Sequence, residues 1–221
     1  MPTALITGAG GGIGSAIATA LAPTHSLLLA GRPSPRLDAV AERLRAEPVS
    51  LDLTDADAIC NAAAAVDELD VLVHNAGVSI PSHVADSRIE DWRATFDVNV
   101  LGTVALTLAL LPVLRRSEGH VVFINSGSGR KVSPGMASYS ASKFALRAFA
   151  DSLRQDEPAL RVTTVFPGRT DTDMQHELVA FEGGEYDAAK FLRPETVAGV
   201  VANAVATPPD GDVHEIVLRP R

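Results

Sequence analysis

Cysteine is all but missing from this chain: Cys60 is its one thiol. No internal disulfide can form, and neither a second thiol nor a nearby histidine suggests a metal site. A buried, inert thiol is the expectation. The six histidines (His25, His74, His83, His120, His176 and His214) are scattered. No two of them stand at the spacing that puts two ligands on one helical face, which disfavours metal catalysis. Positive charge is also in deficit, 19 Lys and Arg against 27 Asp and Glu, for a formal net charge of −8. Such a surface argues against nucleic acid and anionic lipid as partners. No charged amino-terminal segment with an apolar stretch precedes the first structural element, which begins by Thr3. The expected compartment is therefore the cytoplasm. The longest uncharged stretch, Val98 to Leu114, contains Asn99, Gly102 and Pro112. It is shorter than a membrane span usually requires and reads as a buried helix, so no membrane association is expected.

What the chain does have is enough apolar residue, 46% of 221, to bury a large core. One domain spanning residues 1 to 221 is expected. Short apolar runs alternate with helical patterns. Strands are read at Thr3 to Thr7, Ser26 to Ala30, Val49 to Leu51, Asp70 to Val73, His120 to Asn125, Arg161 to Phe166 and His214 to Leu218. Helices are read at Ile13 to Leu21, Pro35 to Arg45, Asp55 to Val66, Ile89 to Asp97, Val100 to Arg115, Ala137 to Asp156 and Pro194 to Ala206. Strands separated by crossover helices demand a parallel sheet covered on both faces. The fold class is α/β, doubly wound. Arg169 to Arg193 is the least regular stretch and reads either as a mobile lid over a site or as a surface excursion with one short helix.

The turn Thr7-Gly8-Ala9-Gly10-Gly11-Gly12-Ile13-Gly14 joins the first strand to the first helix. Side chains there would keep a pyrophosphate from the backbone amides, and glycines remove that obstruction. After the third strand, Asp52 either accepts from an adenine amino group, with Leu53 beside it, or caps the next helix. Asn75-Ala76-Gly77 follows the fourth strand, where a small backbone lets an adenosine approach; a simple turn is the other reading. The second strand ends Leu29-Ala30-Gly31-Arg32, with no carboxylate before Asp38. A carboxylate there would hold the ribose hydroxyls of NAD, whereas the Arg32 fork suits a 2′-phosphate. NADP(H) is therefore expected over NAD(H), which stays possible.

Tyr139-Ser140-Ala141-Ser142-Lys143 opens a helix and puts the tyrosine and lysine on one face. A phenol with a reference pKa of about 10 is a poor acid-base group at neutral pH unless a nearby ammonium favours phenolate. Ser126 ends the fifth strand, from where its hydroxyl can reach the same substrate oxygen. Asn99 can anchor the lysine through a water.

Taken together, Gly8 to Gly14, Asn75-Ala76-Gly77, Asn99, Ser126, Tyr139 with Lys143, and Pro167-Gly168 closely resemble the classical short-chain dehydrogenase/reductase family, from Thr3 to the final strand. The resemblance implies a single Rossmann-type domain with a mostly parallel, seven-stranded sheet. It implies Tyr139 as general acid or base, Ser126 orienting the carbonyl, Lys143 on the nicotinamide ribose and lowering the tyrosine pKa, and Asn99 completing a proton relay. Hydride would pass between nicotinamide and a small carbonyl or alcohol substrate. Gly11 stands where many NADP-using relatives have a basic residue. Thr170 stands where an aliphatic one commonly follows Pro-Gly. Thr172 matches the family threonine near the nicotinamide carboxamide.

Two other readings remain: a silent nucleotide-binding sensor or scaffold, and an epimerase or dehydratase. The family also implies a homodimer or homotetramer paired through Val100 to Arg115 and Ala137 to Asp156. Leu106, Leu110 and Leu114 would form an apolar face there, or equally pack on the sheet. The substrate pocket is expected to be lined by Ser126, Ser128, Met136, Tyr139 and Phe166 and to be short of cationic anchors. Arg130, Lys131 and Arg169 stand close enough in sequence to keep an acidic substrate open.

Overall fold

Successive residues of a strand face opposite sides of a sheet, so a strand that is apolar throughout needs cover on both. The computed structural model, which describes residues 1–221, shows that arrangement. Seven parallel strands run β1 (Thr3–Thr7), β2 (Ser26–Gly31), β3 (Glu47–Ser50), β4 (Val71–His74), β5 (His120–Ile124), β6 (Arg161–Phe166) and β7 (Glu215–Val217). Their order in space is β3-β2-β1-β4-β5-β6-β7. Leu5, Leu72, Val121 and Phe123 face one core layer, which also holds Leu106, Leu110, Leu146 and Leu153. Their neighbours Ile6, Val73, Val122 and Ile124 face the other, against Ile17, Val197 and Val201.

The helices between strands are α1 (Gly12–Leu21), α2 (Pro35–Leu44), α3 (Ala56–Ala64), α4 (Ile89–Phe96), α5 (Thr103–Ser117), α6 (Ala137–Asp156), α7 (Asp173–Phe181) and α8 (Pro194–Val205). Ser34 caps α2 by accepting from Leu37 N, and Asp55 caps α3 by accepting from Asp57 N and Ala58 N. The chain order reverses between β1 and β4, and a ligand crevice is expected outside the carboxyl ends of strands at such a point.

Four expectations need correction. The third strand lies at Glu47–Ser50 rather than at Val49 to Leu51, because Pro48 is tolerated on an edge strand, where one side needs no donor. Helices α4 and α5 are one continuous rod, Ile89–Ser117, joined through a π-helical turn at Asp97–Gly102. That rod is 29 residues long with a mean hydropathy of 1.8 over its most apolar stretch, so the argument from a short span fails. Leu106, Leu110 and Leu114 are fully buried in the core beside the sheet, and the exposed apolar residues of this region are Leu101, Leu108 and, on α6, Phe144. Finally, Cys60 is exposed on α3, whose core-facing residues are Ile59 and Ala62.

The irregular stretch from Arg169 to Arg193 holds α7 and a 3-10 turn at Ala188–Lys190. Its two ends are tied together: Asp171 N donates to Leu192 O at 2.8 Å and Leu192 N to Arg169 O at 2.9 Å.

Candidate active site

The glycine-rich turn is held by a clamp across the chain reversal. Thr7 Oγ1 accepts from Asn75 N and Ala76 N, both at 3.0 Å, while Asn75 Nδ2 donates to Thr7 O at 3.0 Å and Gly8 O at 3.2 Å. A Cβ at Gly14 would stand 2.3 Å from Gly8 O and 2.5 Å from Asn75 Nδ2. Gly14 is thus required by the clamp itself. Gly8, at φ 65, adopts a left-handed conformation that side chains disfavour. Above Gly11 nothing lies within 4 Å, and α1 has no side-chain cap, so its first amides point into an open cradle. That cradle fits a phosphate of a dinucleotide.

From the cradle a groove of about 250 Å³ runs past Gly8, Gly12, Ile13, Asn75, Ala76, Gly77 and Lys143. It shares Ile13, Asn125, Tyr139, Thr172 and Met174 with a larger cavity of about 570 Å³. Ser126, Ser128, Met136, Pro167, Gly168 and Thr170 line that cavity with Tyr139.

Tyr139 and Lys143 are one turn apart on α6 and both buried, the ammonium 5.7 Å from the centre of the phenol ring. Lys143 Nζ donates to Ile124 O at 3.1 Å. Burial presses the Lys143 pKa down to about 8. Burial also pushes the Tyr139 phenol above its ordinary value, opposed in part by a hydrogen bond with Ser126. The downward shift expected from the lysine is therefore absent in this arrangement, where desolvation outweighs it.

Asn99 sits in the π turn and is buried; it accepts from Val78 N at 2.8 Å and donates to Val78 O at 2.9 Å and Ser142 Oγ at 3.0 Å. It does not touch Lys143. The two side chains border the same glycine: a Cβ at Gly77 would be 3.1 Å from Asn99 Oδ1 and 3.6 Å from Lys143 Nζ.

Other predicted residues fall into three groups. Thr172 caps α7 by accepting from Gln175 N at 3.3 Å and packs against Gly12, while Thr170 Oγ1 donates to Gly168 O at 3.0 Å. Arg32 is exposed at the end of β2, away from the cavity, and its charge reaches Asp52. Asp52 does not cap α3; its carboxylate accepts from Thr54 N and Thr54 Oγ1, which hold its pKa low. The Leu53 side chain belongs to the core, and Gly10 packs on Leu37. Phe166 is corrected: it is fully buried under the guanidinium groups of Arg130 and Arg147 and does not line the cavity. Both arginines are ion-paired to Glu215, so Arg130 is not free for a substrate.

Two residues of the site carry no motif in the sequence. Asn125, buried at the end of β5, donates from Nδ2 to Lys143 O at 2.9 Å and accepts at Oδ1 from Ser126 N at 2.7 Å, fixing the serine strand to the lysine helix. Its signal was a single amide closing an apolar strand. Arg219 enters the cavity from the segment after β7. The shortage of cationic anchors expected for this cavity is overturned, since Lys131, Arg169 and Arg219 all line it.

Known proteins resemble this chain in sequence and in fold. The family model for short chain dehydrogenases matches residues 2–183. An uncharacterized oxidoreductase of Staphylococcus epidermidis is 34% identical over 227 residues, covering 98% of this chain and 96% of that one. Glycine betaine reductase ATRR of Emericella nidulans is 38% identical over 235 residues, covering 99% of this chain, which spans 18% of the length of that protein. Among solved structures, an alcohol dehydrogenase from the archaeon Thermococcus sibiricus complexed with 5-hydroxy-NADP superposes with a TM-score of 0.90. Its identity is 28%, with coverage of 100% of this chain and 97% of that one.

Proposed function

Because the chain belongs to the short-chain dehydrogenase family, we propose that it is an NADP(H)-preferring oxidoreductase acting on a small carbonyl compound or the corresponding alcohol. When bound, the dinucleotide supplies or accepts the hydride. The open cradle at Gly8, Gly10, Gly12, Ile13 and Gly14 would hold its pyrophosphate. Arg32 would take the 2′-phosphate, with Asp52, Leu53, Asn75, Ala76 and Gly77 along the adenosine half. Pro167, Gly168, Thr170 and Thr172 would flank the nicotinamide.

The observation that carries this reading is the meeting of Ser126, Tyr139 and Lys143 where the groove opens into the cavity. A phenol pushed above its ordinary pKa is protonated at neutral pH, which is the form that donates a proton to a carbonyl oxygen. Ser126 would donate a hydrogen bond to the same oxygen, and Lys143, at about 8, keeps positive charge near neutrality beside the phenol. Asn99 would complete a relay through the space beside Gly77.

The segment 169–193 would close over the cavity as a lid. Exposed Leu101 in the π turn, Leu108 on α5 and Phe144 on α6 favour pairing of copies through α5 and α6.

Replacing Tyr139 with Phe tests the reading. Turnover should fall by about two to four orders of magnitude, while NADPH binding, followed by its fluorescence, survives. Substantial residual reduction would remove Tyr139 as the proton donor.

A further inference from the structure

The charge around the cavity narrows the substrate. Its 20 lining residues include Lys131, Arg169 and Arg219 and no Asp or Glu. In a protein of net charge −8, this local inversion of sign concentrates an anionic ligand. These cations are not placed for the phosphates of the dinucleotide, because the groove that begins at the glycine-rich cradle is lined by none of the three. They line the larger cavity, which the groove meets at Tyr139.

Arg169 is already engaged, with Glu182 at 2.7 Å and with its guanidinium 5.2 Å from the centre of the Phe191 ring. Lys131 and Arg219 form no ion pair. Arg219 is nonetheless oriented: Nη1 donates to Phe166 O at 3.0 Å and to Leu218 O at 2.6 Å. Those bonds leave Nη2 and Nε, one edge of the planar fork, without a partner. That edge matches the two oxygens of a carboxylate. It is also close to the chemistry, since a Cβ at Gly127 would stand 3.4 Å from Arg219 Nη2 and Gly127 directly follows Ser126.

We propose that the substrate is a short carbonyl compound bearing a carboxylate, held by the free edge of Arg219 with Lys131 adding positive field. This rests on the reductase reading above. In the reduction the carbonyl carbon gains the hydride and its oxygen gains the phenolic proton of Tyr139 as the C=O π bond breaks. The reduced dinucleotide is oxidised, and the carboxylate leaves unchanged on a hydroxy acid.

The test follows NADPH consumption with 3-oxobutanoate and 4-oxobutanoate, each against its methyl ester, and reads the acid-to-ester ratio of kcat/KM. The native protein should prefer at least one acid by about tenfold or more. Arg219→Gln should collapse that preference through KM. Arg219→Lys, which keeps the charge and loses the fork, should retain part of it, and Lys131→Gln should lower it less than Arg219→Gln does. Arg93→Gln, on the exposed face of α4, should leave it intact. Reduction of the esters as well as the acids, or a preference that survives Arg219→Gln, would overturn the anionic substrate while leaving the reductase standing. If NADPH is consumed with none of these and with no neutral aldehyde or ketone, the reductase reading falls and takes this proposal with it.

Discussion

Arg32 is exposed just beyond β2 with no ion-pair partner of its own, and its charge helps the Thr54 hydrogen bonds hold the Asp52 pKa down. If its guanidinium takes the 2′-phosphate, Arg32→Gln should cut the NADPH-over-NADH ratio of kcat/KM by about tenfold or more. An unchanged ratio would assign the preference elsewhere. At this scale the sequence was readable wherever a residue and its neighbour act from one element. Tyr139 and Lys143 share a helical face because they are four positions apart. The glycines of the first turn are likewise local. Asn125 and Arg219 were invisible for the opposite reason. An amide that joins β5 to α6 and a guanidinium that arrives from beyond β7 acquire meaning only when distant segments meet. Phe166 misled in the same way: its position at a strand end near Pro167 suggested a pocket wall, yet the side chain on that face packs beneath two arginines.

Among the elements, the junction of α4 and α5 has the least freedom to change. A Cβ at Gly102 would stand 2.2 Å from Leu53 O, a backbone atom that cannot swing aside. Gly102→Ala should therefore force the rod away from the β3–α3 connection and lower stability by about 1 to 3 kcal/mol, measured by urea unfolding. Because the same turn carries Asn99, kcat should fall as well. Wild-type stability in this variant would mean that the close approach relaxes at no cost. The π turn itself was not legible, since a single i→i+5 segment of six residues is too short to imprint its wider period on the apolar pattern; two helices were expected where one continuous rod exists. By contrast α6 was read to the residue at both ends, Ala137–Asp156. Long, strongly patterned helices announce themselves, and a four-residue edge strand containing Pro48 does not.

Across the whole molecule, two deeply buried imidazoles contribute to the response to acid. His74 and His120 are buried with Nδ1 unpartnered and Nε2 bonded to Thr107 and Thr163 respectively. Burial holds both near a pKa of about 3, with the Arg161 charge adding to the effect at His120. The unfolded chain, with ordinary values of 6.5, takes up these protons first. Their contribution to stability is complete above pH 6.5 and is lost progressively as pH falls toward 3. Thermal midpoints should drop between pH 7 and pH 5, and the slope should be shallower in the His74→Asn, His120→Asn double variant. The same slope in both proteins would place the acid sensitivity elsewhere. The doubly wound layout, by comparison, was legible from its centre: the buried apolar runs of β1, β2, β4, β5 and β6 with crossovers between them admit few other arrangements, whereas the exposed edge strands β3 and β7 carry a weaker pattern.

Cys60 was expected to be buried and lies in solvent instead. An exposed thiol that occurs once makes the molecule addressable at a single atom. A dye or spin label attached there would occupy a helix that contributes nothing to the cavity, and would give a fixed origin for measuring whether the segment 169–193 changes position when a ligand enters.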